Sequence, residues 1–201
     1  VGDLIRLDGQ IQEFRSSTSP NDLSATELDS PANIVVVSSN NTFPIVALGK
    51  DRRPPTQFLS ALDAGPDGFL SNPNNVSRID TTNAELQPDR YGMDFWESLE
   101  GQIVTIHKPI ATNFENQFGE FWVYGDWPVT GKNGRGGISI TFGRTTCSNL
   151  LHVLTTNEGP DGIPDGNPET VIIGSPLDGT KNPTTAVGVA LTSITGPVVY
   201  Q

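Results

Sequence analysis

At 201 residues the chain is long enough for one large domain or two small ones, and its 35% hydrophobic content argues for a folded protein despite 21 glycines and 16 prolines. A net charge of −11 and a pI near 4.4 exclude a general phosphate-binding surface, which needs broad basic patches. No apolar run reaches the roughly 18 residues of a membrane-crossing helix.

Short β-rich runs bounded by Gly, Pro, Asn and Asp recur, and no long stretch keeps an apolar period of 3.6, so the expected fold class is all-β. Val1–Phe14 alternates apolar and polar residues around Gly9, which predicts a strand with a bend or bulge at the glycine. Ser16–Asp22 is a polar loop. Ala32–Val37 is an unbroken apolar run, read as a strand buried on both faces. Asn40-Asn41-Thr42 turns the chain into a further strand, Phe43–Leu48. Residues 50–90 carry KDRRPP, DAGPDG, SNPNN and LQPD, a loop-rich connection with one short helical turn around Thr56–Leu62. The chain then divides into a partial first β-module over 1–50, a loop-rich connection over 51–90 and a second β-module over 91–201.

Residues 89–129 hold all three tryptophans (Trp96, Trp122, Trp127), two tyrosines and four phenylalanines, so the core is expected here. Gln102–Ile106 and Phe121–Tyr124 read as strands joined through a turn at Asn113–Gly119, a hairpin or meander packed under Trp96, with Trp96 and Trp122 both buried. Gly131–Gly137 is a tight turn flanked by Trp127–Val129 and Ile138–Phe142 as a second hairpin. Polar residues 144–169 lead to a short strand, Val171–Ile173, and Val187–Gln201 is again β-like. Leu7-Asp8-Gly9-Gln10-Ile11 is echoed by Leu99-Glu100-Gly101-Gln102-Ile103 and, more faintly, by Ile194–Val198. Tandem barrel modules and chance are both open explanations. Cys147 is the single cysteine, so it is a buried thiol or half of a bridge to another chain. The start at Val1, without methionine or signal peptide, reads as a processed form or a fragment.

The segments VGDLIRLDGQIQEF, TELDSPANIVVVSS, GKDRRPPT, YGMDFWESLEGQIVTI, FGEFWVYGDWPVTGKNGRGGISIT, NPETVIIGSPLDGTKNP and ITGPVVY together resemble secreted nucleases of the endonuclease/exonuclease/phosphatase superfamily, especially fungal members. Bacterial extracellular nucleases of that family are similar in layout. The resemblance implies OB-fold-like β-barrel modules N-terminal to a metal-dependent catalytic domain, the latter lying beyond Gln201. It further implies a secreted protein, with the catalytic domain of the same parent chain as its partner. The shared residues are structural glycines and aromatics rather than catalytic groups.

No catalytic constellation is visible. His107 and His152 are far apart, neither lies in a zinc motif, and there is no nucleophile elbow or phosphate loop; His107 reads as a structural histidine at a strand end. Glu158, Asp161, Asp165, Asn167 and Glu169 form an oxygen-rich loop that could take Ca²⁺, the only cofactor considered, or be a solvated acidic turn. Lys50, Arg52 and Arg53, with Lys132 and Arg135, are basic clusters that could give weak nucleic-acid contacts if interleaved with exposed aromatics. Asn40 and Asn75 begin glycosylation sequons. Two functions are therefore expected: a noncatalytic accessory region of a secreted nuclease, binding nucleic acid weakly or spacing the catalytic domain, or a carbohydrate- or surface-binding β-module with a Ca²⁺ loop. Solvent-facing tryptophan beside acidic residues would favour sugar; aromatics among the basic clusters would favour nucleic acid.

Overall fold

The computed structural model describes residues 2–14, 25–56, 86–139 and 167–199. Their regular structure is almost all strand, as the patterning predicts, with one short helix. The Ser16–Asp22 loop, all but Thr56 of the expected helical turn, Asn75, Cys147, His152, Glu158, Asp161 and Asp165 lie outside the described residues.

β1 (Leu4–Phe14) and β2 (Ala25–Ser38) pair antiparallel as a two-stranded ribbon. The bend expected at Gly9 is present: the register shifts between Arg6 and Asp8 and again between Asp8 and Gln10. A Cβ on Gly9 would come 2.8 Å from Leu28 Cγ, so a side chain there would push the two strands apart. Opposite the bend, Asn33 adopts φ 52° and donates Nδ2 to Asp8 Oδ2 at 2.7 Å. Burial of Ala32–Val37 on both faces is not found. Ile34, Val35, Val36 and Val37 are 60%, 45%, 55% and 56% exposed. Their β-branched side chains favour the strand, but burial also needs a covering layer on each face, and none of the described residues forms one. Among the described residues, the Thr26 amide of the ribbon donates to Glu100 Oε1 at 3.0 Å.

Two three-stranded sheets supply the core. In the first, β4 (Ile103–His107) lies between β3 (Val46–Leu48), to which it runs parallel, and β8 (Ser193–Pro197), to which it runs antiparallel. In the second, β6 (Phe121–Tyr124) lies between β5 (Ile110–Ala111) and β7 (Val171–Ile173), antiparallel to both. Leu48, Val104, Ile106, Ala111, Phe121, Val123, Tyr124 and Trp127 form one buried cluster with Phe95, Leu99 and Val198. The sheets remain separate, and the described residues form no closed barrel.

The expected pairing of Gln102–Ile106 with Phe121–Tyr124 as a hairpin or meander is therefore corrected: β4 and β6 sit in different sheets. Lys108, at φ 49°, turns the chain after β4, and β5 takes the place beside β6. Of the hairpin expected around Gly131–Gly137, the turn and one bridge, Lys132 to Ile138, are present among the described residues. The three echoes of the glycine pattern fall in unlike structures: within β1, across the end of the helix into β4, and along β8.

The helix α1 (Gly92–Glu97) was not expected. Tyr91 precedes it without a side-chain cap, so packing rather than capping holds it. Phe95 is buried, and Trp96 packs edge-on against it at 5.1 Å while donating Nε1 to the Pro168 carbonyl. Gly92 meets Pro168 so closely that an added Cβ would overlap the proline ring.

Candidate functional site

Strand β6 alternates strictly through its first three residues. Phe121 and Val123 point into the core, and Trp122 between them points out, 43% exposed. This corrects the expected burial of Trp122. Composition identified the strand, but the pleat puts every second side chain on the outer face whatever its size. Across the ladder Trp122 is opposite Ile172, which is 37% exposed, and on the other side the Thr112 amide donates to the Trp122 carbonyl at 2.9 Å.

The loop before β6 is braced by its own side chains. Asn113 Oδ1 accepts from the Trp122 amide at 2.7 Å. Asn116 Oδ1 accepts from the amides of Phe118 and Glu120 at 2.8 and 3.1 Å, and its Nδ2 donates to Glu120 Oε2 at 2.8 Å. Gly119 closes the turn at φ 79°, its amide donating to the Asn116 carbonyl. Glu115 Oε2 accepts from the Thr185 amide at 2.8 Å, and this bond above all holds the Glu115 carboxyl below its usual pKa. Asn182 Nδ2 donates to both the Gly119 and Gly174 carbonyls at 2.9 Å, which ties the loop to the segment after β7. In that segment Leu177 is 85% exposed, and the Thr180 hydroxyl and amide lower the pKa of Asp178.

The consequence is a fixed loop that holds Phe114 and Phe118 in water, 67% and 68% exposed. Apolar side chains on a mobile loop would pay an ordering cost on binding; here the backbone is already ordered by side-chain amides and a carboxylate. Phe114, Phe118 and Leu177 were missed in the sequence. The available signal was two phenylalanines inside a segment of otherwise turn-forming composition.

The basic residues are arranged differently. Arg52 donates to Ser98 Oγ at 2.7 Å and lies over the Phe95 ring, and Lys132 Nζ lies 4.6 Å from the Tyr124 ring centroid. Both rings are 1% exposed, so neither offers a face on which a base could stack. Arg53 donates Nε to the Gly49 carbonyl; Lys50 and Arg135 are exposed. The Thr130 hydroxyl donates to the Thr56 carbonyl at 2.6 Å, which brings the segments following one cluster and preceding the other side by side.

Of the candidate Ca²⁺ loop, Asn167 and Glu169 are described. Glu169 is fully buried; its Oε1 accepts from the Thr130 amide and its carbonyl from Trp127 Nε1, both at 2.9 Å. Among the described residues no three His, Cys, Asp or Glu side chains gather as metal ligands would. His107 is exposed at the end of β4. Asn40 is exposed in a turn at φ 59°.

Residues 47–201 match the model of a family described as a domain of unknown function (DUF8508), and the chain belongs to that family. Neither the curated proteins nor the solved structures contain a match to it.

Proposed function

We propose that this DUF8508 chain is a noncatalytic binding module, the accessory part of a secreted protein, and that its ligand surface is the outer face of the second sheet. The observation that carries the reading is Trp122: a large aromatic side chain held in water on a regular strand, with Phe118 and Phe114 also exposed on the hydrogen-bonded loop that leads into that strand. Exposed aromatics on rigid backbone are the usual anchors of recognition surfaces. The resemblance of the chain's glycine and aromatic motifs to secreted nucleases supports a place beside a metal-dependent catalytic domain, with OB-like modules as the corresponding architecture. The exposed Asn40 supports glycosylation of that turn.

A second reading is favoured by the Thr130–Thr56 hydrogen bond, which sets the two basic segments next to each other. On that reading Lys50, Arg53, Lys132 and Arg135 give weak, salt-sensitive contacts to nucleic acid. Ca²⁺ at the Glu158–Glu169 loop remains a separate proposal, with Glu169 anchoring the loop rather than facing the ion.

The experiment assays the purified chain with Mg²⁺, Mn²⁺ and Ca²⁺ on single- and double-stranded DNA and RNA. No cleavage is expected, because hydrolysis needs a metal or base in line with the scissile bond and cationic stabilisation converging on it. Turnover that disappears on His107→Ala or His152→Ala would overturn the noncatalytic reading.

A further inference from the structure

We infer that the outer face of the second sheet at Trp122 and Ile172, with the exposed Phe114 and Phe118 of the loop leading into β6, binds an uncharged polysaccharide chain. The inference rests on the binding-module reading above and names its ligand class.

Three observations carry it together. The first is the exposed aromatic surface itself: a pyranose ring presents a face of C–H bonds that packs against an indole or phenyl ring and releases water from both. The second is the polar rim. Glu115, Glu120 and Asp178 bring three carboxylates to the two loops that flank Trp122, against Lys181 as the one cation on the same segments. Each already accepts a bond within these loops through one oxygen, Glu115 from the Thr185 amide, Glu120 from Asn116 Nδ2 and Asp178 from Thr180, and their negative charge disfavours phosphate or sulfate beside the face while leaving an uncharged, hydroxyl-rich ligand acceptable.

The third is rigidity. Asn113, Asn116 and Asn182 spend their amides on the backbone of the loops, so the aromatic positions are set before any ligand arrives. Sugars bury little apolar area per residue and repay little ordering cost, so a preformed surface is the one able to hold them. A bound anionic membrane or a nucleic acid would bring like charge against Glu115, Glu120 and Asp178.

The test is affinity electrophoresis of the whole 201-residue chain through native gels containing hydroxyethyl cellulose, a galactomannan or a soluble β-1,3-glucan. Parallel arms use single-stranded oligothymidylate and phosphatidylserine vesicles. Retardation by at least one neutral polysaccharide is expected, nearly independent of salt. Trp122→Ala and Phe118→Ala should each weaken it about tenfold or more, with Trp122→Phe intermediate. Thermal unfolding of each variant separates lost contacts from lost fold. Absence of retardation in all three polysaccharides would overturn the proposal, as would retardation that neither variant changes. Trp122-dependent binding to oligothymidylate or vesicles alone would overturn the sugar assignment and keep the face as a binding surface. Large drops in melting temperature for both variants, with no binding in any arm, would overturn both.

Discussion

Trp122 and Ile172 stand opposite each other across the β6–β7 ladder, on the side of the sheet turned away from the core. The strand neighbours of Trp122, Phe121 and Val123, are 1% and 0% exposed, so one strand carries the centre of the fold on one face and the candidate ligand surface on the other. The two roles should separate by substitution. Phe121→Ala is expected to cost about 3–5 kcal/mol and Trp122→Ala less than about 1 kcal/mol, read by denaturant unfolding. Equal losses would put Trp122 in the core.

Which residues make the strand was legible in the sequence; which face each one occupies was not. The run Phe121–Tyr124 has strand composition, but three aromatics in four residues masks the period of two that would have set Trp122 apart. The partner of β6 was missed for a related reason. Strands close in sequence usually pair, and the short β5 between them, only Ile110–Ala111, carries too little pattern to be seen. Val35 and Val36 mislead in the opposite sense: an apolar run marks a strand, but whether a second layer covers it depends on residues far away. Glu169 sits among prolines and acids, so it reads as solvated. It became a core residue because Thr130, thirty-nine positions earlier, turns its amide towards it.

Glu169→Ala removes the acceptor for the Thr130 amide in a site closed to water. A loss of about 1–3 kcal/mol is expected, the usual cost of orphaning a buried donor. Urea midpoints of the two proteins measure it, and an unchanged midpoint would mean that water or another group replaces the carboxylate.

Gly92→Ala should destabilise although alanine is the better helix former. The added Cβ would overlap Pro168, and overpacking of this kind costs about 1–3 kcal/mol. A raised melting temperature would show that α1 and the Pro168 segment separate easily.

Acid should loosen the aromatic loop before it unfolds the core. Glu115 has a folded-state pKa below its usual value, chiefly because it accepts from the Thr185 amide. Its contribution is therefore complete above the unfolded value, about 4.3, and is lost as pH falls through the lowered folded value. The protection of the Thr185 amide, its hydrogen-exchange rate relative to the intrinsic rate at each pH, should fall over that acid window, and Glu115→Gln should remove that change in protection. Protection that is constant with pH in the parent protein would contradict the assignment.

The most direct test of the aromatic face uses the three indole N–H signals of the ¹⁵N-labelled protein. Trp96 Nε1 is bonded to the Pro168 carbonyl and Trp127 Nε1 to the Glu169 carbonyl, both within the fold, whereas Trp122 is on the outer face. Titration with a soluble neutral oligosaccharide should move the Trp122 indole signal and the backbone amides of Phe114 and Phe118, leaving Trp96 and Trp127 in place. A Trp122 signal that stays fixed while amides at Arg53, Lys132 or Arg135 move would contradict the account and put the ligand on the basic turns.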